Sequence, residues 1–206
     1  MSYLQIGSLS LPTIWLAVVA ALFITSVLHW AITRTKLEDW YWNGFFLYFL
    51  TWKLTYILFN FQLFLDMPLS IVYFNGGTAG HFIALALLSV YLLFFAGKKY
   101  PTVYAESAEV LLSFFISYKA LSFILEKDVV GLVLQFILLV SYLFLLTSIK
   151  RKQKRLTAQP FILFILLELL MLSMFDTILS VEALTFLWLG ITAFLLSRYE
   201  QGGRNH

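Results

Sequence analysis

Long apolar runs dominate this chain and dictate what it can fold into. They recur at 11–32, 41–63, 78–97, 107–126, 129–148, 160–178 and 181–197, separated by short polar stretches. Each is about 17–23 residues, the length a helix needs to cross a hydrocarbon layer about 30 Å thick. Inside lipid a backbone must satisfy its own hydrogen bonds, so runs of this length are helices. With 61% hydrophobic and 12% charged residues, the 206-residue chain has too little charge to cover a water-soluble globule. The expected fold is all-α: a polytopic integral membrane protein, a seven-span helical bundle forming a single transmembrane domain over 1–206. The last two runs are short and share a tight turn at Asp176–Val181, so a hairpin that crosses only in part is the alternative there.

The basic residues orient the bundle. Arg34 and Lys36 follow the first run, Lys98 and Lys99 the third, and "KRKQKR" (Lys150 to Arg155) the fifth, while Arg198 and Arg204 lie in the tail. All fall on one side if the N-terminus is outside, and the other side keeps only Lys127. Cytoplasmic loops carry the excess of Lys and Arg, which predicts N-terminus out and C-terminus in, with an odd number of spans. On this reading "KRKQKR" is a topology anchor, with contact to anionic headgroups as the alternative. The absence of cysteine excludes disulfides, thiol catalysis and thiolate metal sites. The opening "MSYLQIGSLSLP" has no basic stretch ahead of an apolar one, so no cleaved signal peptide is expected.

Ionisable residues inside apolar runs are costly and mark function or mutual pairing. Lys53 ("LTWKLTY"), Lys119 ("SYKALSF") and Glu168 ("LLELLM") lie within runs; His81 lies near the outer end of the third, and Glu106 and Glu109 at the inner start of the fourth. One reading is an ion pair tying Glu168 to Lys53 or Lys119. The other is a basic cluster at His81, Lys119 and Lys53 whose excess charge an outer-leaflet lipid phosphate would balance. His29, beside Trp30, is expected to anchor at the interface. Trp40, Tyr41 and Trp42 fit an inner aromatic belt. "SIVYFNGGTAGHF" (Ser70 to Phe82) stands apart, with Asn75, Gly76, Gly77 and His81 gathered between two apolar runs.

Four segments in order resemble prolipoprotein diacylglyceryl transferase. "IGSLSLP" resembles that family's "IGP-x-x-I", and "WKLTYILF" (Trp52 to Phe59) its "GARLGYVLF", with Lys53 in place of an arginine. "YFNGGTAGHF" resembles "W-x-GG-x-x-x-HGG", with Gly76 and Gly77 on the first glycine pair and His81 on the histidine. "YKALSFILEKDVVG" (Tyr118 to Gly131) resembles "GRxGNFxNxExxG": Lys119 stands for the arginine, Ser122 for the asparagine, Phe123 matches, and Asp128 with Gly131 matches E-x-x-G after a one-residue slip. The leading glycine is Tyr118, Leu125 replaces the second asparagine, and only about two residues separate the fourth and fifth runs, where the family carries an extracytoplasmic head. The resemblance is therefore to a reduced, divergent member.

The resemblance implies a displacement at a glycerol carbon of phosphatidylglycerol. A lipoprotein cysteine thiol attacks, a carbon–sulfur bond forms, and glycerol phosphate leaves. His81 and Lys119 would be catalytic. Lys53, Lys119, Asn75, Gly76 and Gly77 would hold the lipid phosphate, with Ser122, Asp128 and Glu168 supporting. Lysine offers phosphate a point charge where arginine offers a planar fork, so it orients the headgroup less. No cofactor or metal is expected. The partners would be phospholipid and a prelipoprotein or partner membrane protein, without nucleic acid, in the bacterial cytoplasmic membrane. The alternative is a non-catalytic subunit that keeps the fold and lipid groove for a partner. A small carrier finds less support, because no internal inverted repeat is evident.

Overall fold

The computed structural model describes residues 3–6, 9–152, 154–177 and 179–203. Gly7 and Ser8 of the opening stretch, Gln153 of the basic run and Arg204 of the tail lie outside the described residues. The chain begins with a small antiparallel hairpin, β1 (Tyr3–Ile6) against β2 (Leu9–Pro12), pairing Tyr3 with Pro12 and Ile6 with Leu9. Four-residue strands are too short for their alternation to stand out in the sequence.

From Pro12 onward the regular structure of the described residues is helical. The helices are α1 (Thr13–Thr33), α2 (Asp39–Phe59), α3 (Phe61–Asp66), α4 (Ser70–Tyr73), α5 (Gly77–Val90), α6 (Gly97–Lys99), α7 (Val103–Glu126), α8 (Val129–Arg151), α9 (Ala158–Phe175) and α10 (Val181–Gly203). A π-helical stretch, Tyr91–Ala96, carries α5 into α6. Among the described residues, six stretches are long and apolar enough to cross a membrane: Thr13–Thr33, Gly77–Lys99, Val103–Glu126, Val129–Arg151, Ala158–Phe175 and Val181–Tyr199. The chain is a multi-pass helical membrane protein. α2 has the length, 21 residues, but Asp39, Asn43, Lys53 and its Trp and Tyr side chains dilute its apolar content. It is not among the six.

Local chemistry sets the helix ends. Arg34, at φ +62°, closes α1 in the left-handed conformation, with its N–H on Trp30 O at 2.8 Å. α2 stops at Phe59, short of residue 63, because Asn60 leaves helical dihedrals (φ −133°, ψ 44°). Lys127, at φ +58°, ends α7, and Asp128 N–H reaches back to Phe123 O at 3.0 Å. That six-to-one bond is the signature of a Schellman stop. Pro101 holds Tyr100 extended (φ −130°, ψ 84°) and separates α6 from α7. Pro160 sits in the first turn of α9, where its missing N–H costs nothing.

Two compact units emerge: Met1–Leu37 with Ala105–Phe186, and Glu38–Tyr104 with Leu187–His206. The core of the first contains Ala17 and Ala21 of α1, Leu112 and Ile116 of α7, Tyr142 and Leu146 of α8, Leu172 of α9 and Phe186 of α10, all buried. Phe115 and Phe186 close it with ring centroids 4.2 Å apart. In the second unit α2 packs along α5, with Tyr56, Ala84 and Leu85 buried. Ser89 joins α5 to the last helix, accepting from Trp188 Nε1 at 2.9 Å and lying 3.1 Å from Thr192 Oγ1. Elsewhere large apolar side chains point outward, including Leu58, Phe144 and Leu179. That much exposed apolar surface suits contact with lipid tails.

Candidate functional site

In the second unit, small residues let α2 and the start of α5 meet. A Cβ at Gly76 or Gly80 would collide with Thr55 Oγ1, and Ala84, one turn on from Gly80, is fully buried. This small-x-x-x-small spacing is how membrane helices approach closely. Backbone and side-chain bonds then stitch the contact. Gly76 N–H donates to Trp52 O at 2.9 Å, and Trp52 Nε1–H donates to Gly77 O at 3.1 Å. Asn75 Oδ1 accepts from Gly77 N–H at 2.9 Å, an Asx turn that starts α5. Gly77 sits at φ +60°, where a side chain would be strained.

The predicted residues on this side come together. One turn before Trp52 on α2, Tyr48 lies with Oη 2.6 Å from His81 Nδ1, their rings edge to face at 5.8 Å. Which of the two donates depends on the imidazole tautomer. Tyr48 also stacks on Trp52, at 6.4 Å. Lys53 Nζ donates to Phe74 O at 3.1 Å and Ile71 O at 3.4 Å, placing its charge at the carbonyl end of α4. The Trp52 indole and the Lys53 ammonium thus lie at the Asn75–Gly77 turn, with the Tyr48–His81 pair one turn further along α2 and α5. The turn and the close packing account for Asn75, Gly76 and Gly77 without any ligand.

In the first unit, Lys119 of α7 is buried and meets Glu182 at the start of α10, Nζ to Oε1 3.1 Å and Oε2 3.3 Å. Its ammonium also lies 4.9 Å from the centre of the Phe123 ring. Ser122 follows on the same helix, half-buried. Asp128 is the N-cap of α8, its Oδ1 accepting from Gly131 N–H at 3.0 Å. Gly131 is small because a Cβ there would strike the Phe123 ring. The Phe123, Asp128 and Gly131 matches to the transferase signature therefore have a packing and capping role in this chain.

Among the described residues, Glu168 makes no ion pair. It is fully buried in α9, and Gln135 Nε2 of α8 donates to its Oε1 at 2.9 Å and Oε2 at 3.1 Å. Gln135 also donates to Ile116 O of α7 at 3.3 Å. The expectation of Glu168 paired with a lysine fails because an amide satisfies the carboxyl, while Glu182 takes Lys119. His29 is likewise no interfacial anchor: it is 7% exposed, with Nε2 3.8 Å from Glu106 Oε1. Its neighbour Trp30 is the exposed one. Nearby, Lys150 Nζ binds the buried Glu109 at 2.8 Å, so this member of "KRKQKR" is a structural partner. Ile32, Thr147, Lys150 and Arg151 line an open recess of about 230 Å³ there.

Sequence reasoning missed Tyr48, Trp52, Gln135 and Glu182. Gln135 carried a usable signal, a lone amide inside "LVLQFIL", and Glu182 stood as the one acid opening the last apolar run. Tyr48 and Trp52 were hidden among the aromatics of α2. Among the described residues, no group of three or more His, Asp or Glu side chains is arranged to hold a metal ion. Set against known protein families, characterised proteins and solved structures, the chain matches none of them.

Proposed function

We propose that this protein is a divergent prolipoprotein diacylglyceryl transferase-like membrane protein. It binds a phosphatidylglycerol-type lipid in the outer leaflet and transfers the diacylglyceryl group to a lipoprotein cysteine. The proposal includes seven crossings, with α2 as the seventh, the N-terminus outside and the C-terminus in the cytoplasm of a bacterial cell. The single observation that carries it is the Tyr48–His81 contact at 2.6 Å beside the Asn75–Gly77 turn and Lys53. A general base must be held in one orientation, and a phenol on Nδ1 does that for the imidazole. Lys53, with its ammonium on Phe74 O at 3.1 Å, supplies positive charge for a phosphate.

One observation favours a second reading, a non-catalytic subunit that keeps a lipid groove for a partner protein. Lys119, the counterpart of the family's arginine, is already neutralised by Glu182 at 3.1 Å. A single experiment separates the two. The purified protein is mixed with phosphatidylglycerol and a lipobox peptide, and both bound lipid and peptide thioether are measured by mass spectrometry. Bound lipid with thioether supports the transferase; bound lipid alone supports the subunit. Neither signal overturns both.

A further inference from the structure

Beyond lipid handling, the first unit carries a column of polar side chains through its core. On α7, Glu109, Ser113 and Ser117 recur every fourth residue and are all buried. On α8, Gln135 and Tyr142, two turns apart, are fully buried. Tyr142 Oη donates to Glu109 O at 2.7 Å and lies 3.2 Å from Ser113 Oγ. Gln135 joins Glu168 to the α7 backbone at Ile116, one residue before Ser117.

Each end of the column is an ion pair that touches the surface, and the middle is sealed. At one end is Lys119–Glu182, with side chains 11% and 23% exposed. At the other is Glu109–Lys150, where the lysine side chain is 24% exposed. Gln135 and Glu168 between them are 0% exposed. Between its two ends, from Glu109 to Lys119, the α7 helix rises about 15 Å at about 1.5 Å per residue, half of a hydrocarbon core about 30 Å thick.

The column is also under-bonded. Among the described residues, Ser117 Oγ, Gln135 Oε1 and Glu109 Oε1 are buried without a hydrogen-bond partner. Unpartnered buried polar atoms in a row are where a protein holds internal water. Carboxyl groups spaced along such a row inside a membrane form proton relays.

We propose that the first unit conducts protons along this column, with Glu168 as the central carrier. A proton passes from the Glu168 carboxyl to water held by Ser117 and Gln135, breaking one O–H bond and forming another. The carboxylate left behind is reprotonated from the Lys119–Glu182 end, so no net charge accumulates. The charged groups acting on Glu168 are Lys119 and Glu182; Lys150 and Arg155 act on Glu109; and His29 faces Glu106 beside the Lys150 end.

The test is proton flux in liposomes holding the full chain and a trapped pH dye, driven by a potassium diffusion potential with valinomycin. Wild type is expected to change internal pH faster than protein-free liposomes, and Glu168→Gln to return the rate to that baseline. Ser117→Ala guards against misfolding, because Ser117 Oγ has no hydrogen-bond partner among the described residues to lose. It is expected to unfold no earlier than wild type yet to slow the flux. Wild-type flux at the protein-free rate overturns the proposal, as does undiminished flux in Glu168→Gln or in Ser117→Ala. No lipid substrate is involved, so the outcome is independent of the transferase assay.

Discussion

Tyr48 Oη and His81 Nδ1 stand 2.6 Å apart, joining two helices across 33 residues of sequence. The bond fixes the imidazole ring plane and leaves the phenol few alternatives. Tyr48→Phe removes the hydroxyl and keeps the ring. It should lower unfolding stability in detergent by about 1 kcal/mol. Under the transferase reading, His81→Ala should cut thioether formation by about a hundredfold or more, with Tyr48→Phe intermediate. Tyr48→Phe matching wild type in both melting and transfer would show that the bond positions nothing.

The glycines around His81 make two separable demands. Gly80 is small because a Cβ would strike Thr55 Oγ1, leaving Thr55 Cβ at 3.2 Å as the next neighbour. Gly80→Ala should therefore destabilise by about 1–3 kcal/mol, and Thr55→Ala should recover most of that loss. Gly77 has open space but φ +60°. Gly77→Ala should cost about 1–2 kcal/mol, with no rescue from Thr55→Ala. A double-mutant cycle by thermal unfolding reads both. Equal rescue of the two glycine variants would contradict this division.

Length and apolar pattern made the helices legible: the runs expected at 107–126 and 129–148 are α7 (Val103–Glu126) and α8 (Val129–Arg151). Those boundaries are written locally, in Asp128 as a cap and Lys127 as a stop. Partners were not legible, because pairing depends on helix rotation. Charge alone suggested Glu168 with a lysine, yet an uncharged amide, Gln135, faces it. The glycine segment was recognised as special, but the reason is contact with Thr55, 21 residues before Gly76. Motif resemblance drew attention to Lys119, and only the structure reveals that Glu182 occupies it.

The Lys119–Glu182 pair makes a prediction of its own. Their side chains are 11% and 23% exposed, so screening by water is limited. Removing one partner leaves the other charge largely desolvated. Lys119→Met and Glu182→Gln should each destabilise by about 2–3 kcal/mol, and the double variant by less than their sum. Strict additivity in the thermal unfolding cycle would mean the two side chains do not pair in the bilayer. If Lys119 instead holds lipid phosphate, phosphatidylglycerol retention should fall in Lys119→Met and stay unchanged in Glu182→Gln.

Asp128 tests whether its match to the transferase signature reflects chemistry or architecture. Its Oδ1 accepts from Gly131 N–H at 3.0 Å, as an N-cap does. Asp128→Ala should cost about 1 kcal/mol, while Asp128→Asn and Asp128→Ser keep an acceptor and should stay near wild type. A carboxylate needed for proton transfer or charge would be lost equally in all three. Melting temperature and thioether formation measured on the same preparations distinguish these cases. The capping role requires that Asn and Ser preserve both quantities. A stable but inactive Asp128→Asn would assign the carboxylate to the reaction.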